Sequence, residues 1–243
     1  MLSTQTEPST LSRPRRSTAW IQLLAVVLGV LPLYSSLILS GLRRGRPLTI
    51  QEYIFYLAVI SPVAIVVALL LLRCVCRENL RDLNLRPGTL ASDLLAALIL
   101  SPAIIVANVM STQLLSDLIP ESASNPSVRN LFVELARDPG MFVLFLALLI
   151  PLGAASEELI RVFLLSRLWK VWASTTGRLA GVVVSACLFG LIHVYRGPVA
   201  VGWTAIFGLI VALYYLRFGR AVPLILAHYL TNALQVIVFV VRT

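Results

Sequence analysis

The feature that most constrains this chain is a series of apolar runs, each about as long as a bilayer is thick. They lie at roughly 19–42, 53–75, 91–116, 140–160, 179–196, 199–217 and 221–241, separated by short segments that carry arginines. A transmembrane α-helix needs about 20 mostly apolar residues. The expected fold is therefore all-α, a polytopic transmembrane helix bundle of about seven spans. Composition agrees: 58% of the residues are hydrophobic and 13% charged, where a soluble globular chain is nearer about 45–50% and about 25%. Pro62, Pro102 and Pro151 fall inside runs, and kinks there are tolerated where neighbouring helices satisfy the freed carbonyls.

The charge balance points to lipid. The net charge of +9 comes from 20 Lys+Arg against 11 Asp+Glu, and Lys170 is the only lysine. A basic chain suggests nucleic acid when its charges gather on one face. Here the arginines flank apolar runs, where they meet anionic headgroups, so the bilayer is the expected partner and nucleic acid is not. With the N-terminus inside, the cytoplasmic segments hold Arg13, Arg15, Arg16, Arg73, Arg77, Arg81, Arg86, Arg161, Arg167, Lys170, Arg178, Arg217 and Arg220. The other side holds the smaller set Arg43, Arg44, Arg46, Arg129, Arg137, Arg196 and Arg242. The positive-inside bias favours N-in, with the Arg43–Arg46 cluster arguing the other way.

Residues 1–18 form a polar N-terminal tail. The run after it exceeds the roughly 7–15 residues of a signal-peptide core and reads as a retained span. Transmembrane helices and a connecting loop follow over 19–139, and a core over 140–243. The polar stretch 120–139 has the pattern of a short amphipathic helix through Val128, Leu131, Phe132 and Leu135. Cys74, Cys76 and Cys187 make no disulfide framework and read as small apolar residues.

Ionisable residues in apolar runs are the informative anomaly, because each costs about 2.5–3.5 kcal/mol at a bilayer centre on insertion scales and usually faces a cavity or a partner. Glu157 and Glu158 follow the run 141–155, and both histidines, His193 and His228, fall in apolar segments. His228 and Asn232 are four apart, so they project from one helix face; Phe189 and His193 do the same. Glu157 lies four residues before Arg161 and Glu158 three. The two glutamates diverge by about 100°, so one can face a reaction while the other pairs with Arg161.

These side chains offer two chemistries. A glutamate beside a histidine can hold and deprotonate a water, and a second histidine with an asparagine amide can stabilise an oxyanion. Alternatively, Glu157, His193 and His228 are three ligands of the type catalytic zinc uses, with a fourth position for water. No serine or cysteine has the context of a nucleophile.

The Glu157-Glu158-x-x-Arg161 cluster, Phe189-x-x-x-His193 and His228-x-x-x-Asn232 stand in the order and separation of a known family. They resemble the CPBP intramembrane proteases, which include CAAX prenyl endopeptidases of the Rce type and bacteriocin-processing or immunity relatives. The resemblance covers about residues 140–241, and Asn84-Leu85-Arg86-Pro87 is reminiscent of the family further upstream. It implies an endopeptidase acting on a membrane-associated or prenylated peptide or protein, in a bacterial inner membrane. It implies that Glu157 activates water beside His193, that His228 and Asn232 stabilise the oxyanion, and that Glu158, Arg161 and Phe189 support them. The cofactor is either none or a divalent metal such as zinc on Glu157, His193 and His228.

The family usually has one more residue before the arginine. Arg161 comes one position early, with Val162 after it, and 163–168 resumes the pattern. A one-residue deletion turns Arg161 by about 100°. Two other readings keep the same residues: a non-catalytic membrane partner or immunity-type protein that retains the fold, and a proton-coupled carrier, whose polar residues should line a path rather than cluster.

Overall fold

A computed structural model describes residues 16–42, 50–85, 88–119 and 126–242. Every regular element among them is helical. In chain order they are α1 (Arg16–Leu42), α2 (Gln51–Val75), α3 (Leu90–Leu118), α4 (Pro126–Arg137), α5 (Pro139–Val171), α6 (Thr175–Leu191), α7 (Pro198–Phe218) and α8 (Val222–Arg242). Of the expected tail, residues 1–15 lie outside the described part, as do Arg43, Arg44, Arg46, Arg86 and Pro87.

Local chemistry sets several helix starts. Thr89, Asp138 and Ser174 each accept a backbone N–H three residues on, from Ser92, Met141 and Gly177, which satisfies an orphan donor of the first turn. Pro139 and Pro198 stand at the start of α5 and α7, where the missing N–H costs nothing. Inside α2 and α5 proline has a different effect. Tyr56–Ile60 and Phe145–Leu149 are single π turns, and Pro62 and Pro151 follow each by two residues. A proline ring displaces the carbonyl four residues earlier, and a wide turn absorbs the displacement without ending the helix.

Six helices, all but α4 and α6, are long and apolar enough to cross a membrane. The fifth expected span, 179–196, is corrected: the helix is the 17-residue Thr175–Leu191, and His193 lies past its end. The run expected over 140–160 is also corrected, since α5 continues to Val171. The charges in its second half, counted above as flanking charges, are paired inside the bundle. Arg167 is fully buried and donates to Gln22 of α1 at 2.9 Å and to Glu78 at 2.5 Å, and Lys170 also pairs with Glu78. Arg161 and Arg167 therefore do not snorkel to the interface.

α5 is the central post, touched by α1, α2, α6 and α8, while α3 packs on α7 and α8. The α6–α7 pair is the closest. A Cβ on Gly190 would stand 2.6 Å from the Val201 carbonyl oxygen, and one on Gly208 3.2 Å from Ala186 Cα. Small residues at such crossings let backbones approach. At one end, Tyr215 Oη of α7 donates to the carbonyl of Leu83, in the segment after α2, at 3.1 Å, and Arg220 of the α7–α8 turn pairs with Asp93 of α3. Leu28, Leu90, Ile99 and Val241 are among the large apolar side chains left exposed, an outer surface suited to lipid.

Candidate active site

The two glutamates divide their tasks by direction. Glu158 has no exposed side-chain surface, whereas Glu157 keeps 12%. Arg161 Nη1 donates to both Glu158 oxygens at 2.6 Å. The early arginine thus reaches the second glutamate, since residues three apart on a helix are neighbours. His228 completes the arrangement, its Nδ1 lying 2.7 Å from Glu158 Oε1.

Both histidines turn the same ring edge toward Glu157. His193 Nδ1 lies 2.8 Å from the Phe189 carbonyl oxygen. A carbonyl and an ionised carboxylate only accept, so Nδ1 is the donor in each ring. Nε2 of His193 then stands 3.9 Å, and Nε2 of His228 3.8 Å, from Glu157 Oε2. Three elements meet here: the middle of α5, the turn after α6, and the second turn of α8. Gly197, at φ +95°, follows the short 3₁₀ turn Val194–Arg196 and reverses the chain into α7.

Phe189 braces the group. Its ring lies 4.7 Å from the His193 ring centroid and 5.6 Å from that of Phe207. The Arg161 guanidinium sits 3.7 Å above its face. Phe207 in turn meets the His228 ring at 4.7 Å. A cation on a desolvated aromatic face gains about 2 kcal/mol, which helps hold Arg161 where it pairs with Glu158.

Glu157, His193, His228 and Asn232 line one cavity. The cavity also takes in Tyr53, Phe132, Phe145, Tyr195, Arg196 and Trp203. Of these, Arg196 entered the sequence reading only as a flanking charge, and Phe132 only as part of the amphipathic helix, which is observed as α4. The readable signal was the dense stretch His193-Val194-Tyr195-Arg196 between two apolar runs. Arg196 lies over the Trp203 ring at 5.0 Å. Glu158, Arg161 and Phe189 stand behind the reactive edge.

Glu157, His193 and His228 suit zinc by donor type. Among the described residues, however, no group of three His, Cys, Asp or Glu side chains is placed to hold a metal ion, and no step below runs through one.

Residues 139–234 match the family model described as Type II CAAX prenyl endopeptidase Rce1-like. That stretch is similar to the Rce1-like CAAX proteases. No curated protein and no solved structure matches. The matched stretch runs from the first residue of α5 into α8, so it contains every residue singled out above as a catalytic candidate. It supports peptidase as the class of chemistry, and the apolar helices make the protein an integral, multi-pass one.

Proposed function

We propose that the protein is an intramembrane endopeptidase that hydrolyses a peptide bond of a membrane-associated or prenylated-type substrate. The observation that carries this reading is the convergence of two histidine Nε2 atoms on the Glu157 carboxylate, at 3.9 and 3.8 Å, inside one cavity. Glu157 takes a proton from a water held beside His193, and the water oxygen attacks the carbonyl carbon. General-base help of this kind is worth about 10²–10⁴-fold. The Asn232 amide, and His228 through Nε2–H in its protonated form, stabilise the oxyanion, where one donor is worth about 10²–10³. As the C–N bond breaks, the proton on Glu157 passes to the leaving nitrogen and the carboxylate is restored. Glu158 fixes the His228 ring, as the carboxylate of a triad orients its imidazole.

A bacterial inner membrane, with the N-terminus in the cytoplasm, belongs to the same reading. The test is cleavage of prenylated and unprenylated membrane peptides by protein in proteoliposomes. Glu157→Gln, His193→Ala and His228→Ala should each abolish turnover while leaving yield intact. Wild-type cleavage by any of the three defeats the proposal.

A further inference from the structure

Among the described residues, five arginine and lysine side chains are not exposed: Arg161, Arg167, Lys170, Arg196 and Arg220. All but one have a carboxylate partner. Arg161 pairs with Glu158, Arg167 and Lys170 with Glu78, and Arg220 with Asp93. Arg196 has no such partner; its guanidinium lies over the Trp203 ring at 5.0 Å. It is half-buried in the wall of the cavity that holds Glu157, His193 and His228. Among the described residues of that wall, Glu157 is the only acid and Arg196 the only arginine or lysine. The two do not pair with each other, since the charged or chargeable groups that approach Glu157 are the two histidine Nε2 atoms. A cation within a membrane bundle usually faces a partner or a cavity. Here it faces the cavity.

We propose that Arg196 is a specificity-determining residue that takes a carboxylate of the peptide, either its C-terminus or an acidic side chain near the cleaved bond. The proposal rests on the peptidase reading for what occupies the cavity. A ring beneath a guanidinium takes up its face and leaves its edge free, a planar fork of N–H donors that matches a carboxylate. Carboxylates are the anions that an unmodified peptide offers. Arg196 closes the turn Val194–Arg196 that follows His193. A group it grips therefore lies a few residues of extended peptide, at about 3.3–3.6 Å each, from the carbonyl beside Glu157. Charge also sets the direction of the chain. A peptide carboxylate is repelled by Glu157 and attracted by Arg196, which fixes the register of the bond to be cut.

The test uses one prenylated peptide in three forms: with a free C-terminus, with a C-terminal amide, and with the amide plus a glutamate at the last position. In proteoliposomes, the wild type should cleave at least one carboxylate form about tenfold better than the plain amide, the scale of one charge-assisted hydrogen bond. The difference should lie in KM, as expected for a group that binds substrate and transition state alike. Preference for the free acid alone assigns the C-terminus; preference for the glutamate form assigns a side chain. Arg196→Met keeps an unbranched stem over Trp203 without charge or donors and should bring the three forms to within about twofold of one another, while Arg196→Lys, a charge without the fork, should keep part of the preference. Thermal melts confirm that each variant is folded. A structural role, or a bond to a lipid headgroup, would instead lower all three forms together; that result, or no preference in the wild type, overturns the inference. Fluorescence anisotropy of labelled peptides, measured with the protein in detergent, separates this from the peptidase reading. Tighter binding of a carboxylate form, lost in Arg196→Met, by a protein that cleaves nothing would defeat the peptidase reading and leave the carboxylate site standing. Equal binding of all three forms overturns the inference whether or not the protein cleaves.

Discussion

His228 donates through Nδ1 to Glu158 at 2.7 Å, and this bond aims its other nitrogen at Glu157. One glutamate therefore holds the imidazole while its neighbour in the sequence faces what the imidazole would act on. The pair is adjacent in the chain and opposite in environment, which separates the effects of removing each.

Glu157→Gln should abolish cleavage, by about 10²-fold or more, with little change in the melting temperature in detergent, because among the described residues no cation lies at hydrogen-bonding distance from Glu157. Glu158→Gln should lower both. It strips the buried Arg161 of its counter-charge, and breaking a buried pair on one side costs about 3–5 kcal/mol. Equal melting temperatures for the two variants would contradict the division of roles.

Gly190→Ala tests the α6–α7 crossing. The new methyl would meet the Val201 carbonyl oxygen at 2.6 Å and Ala205 Cβ at 2.9 Å. Because the first contact is backbone, the helices must separate, at a cost of about 1–3 kcal/mol for overpacking. Phe189 and His193 move with α6, so turnover falls as well. Gly140→Ala, whose added carbon lies no closer than 3.4 Å to Asp138 Oδ1, is the control expected to behave as wild type in both melt and activity.

Glu78 gives a pH signature outside the membrane spans. Burial acts to raise its carboxyl, but hydrogen bonds from Arg167 and Lys170 outweigh burial and hold it below the usual 4.5. A group whose folded pKa is depressed contributes stability above its unfolded pKa and loses it as pH falls through the folded value. The melting-temperature gap between wild type and Glu78→Gln should be full at neutral pH and close under acid, below the ordinary carboxylate range. A gap that stays constant down to acid pH would show that the carboxylate charge contributes nothing to the tie between α1, α2 and α5.

Chelation addresses the metal question directly. Since no three donors among the described residues are placed as a metal site, cleavage should survive dialysis against EDTA without added zinc. Loss of activity with EDTA and its return with zinc would require the Glu157, His193 and His228 side chains to close around an ion.

The helical bundle was readable from its apolar runs, and the candidate site residues stood out as exceptions to that background. A glutamate or histidine inside such a run stands out as a leucine cannot. Two things were harder to read. The extent of α5 was hidden because Arg161 and Arg167 resemble a helix end until their partners, Glu158, Gln22 and Glu78, are brought in; two of those three lie outside α5. Arg161 was legible as a departure from the family spacing, but its consequence, an arginine lying on Phe189 and gripping Glu158, depended on three-dimensional contacts.

The 17-residue length of α6 has a consequence for the lipid around it. At 1.5 Å per residue the helix reaches about 25 Å, short of a hydrocarbon core about 30 Å thick. Acyl chains along that face must compress or splay to cover it, an elastic cost of a fraction of a kcal/mol per ångström. α6 gives way to His193 at one end, so lipid thinned to cover this face would lie beside the candidate site. Bilayers of short acyl chains would relieve that compression and thick, sterol-rich ones would worsen it, which makes membrane thickness itself a determinant of how this site is held open.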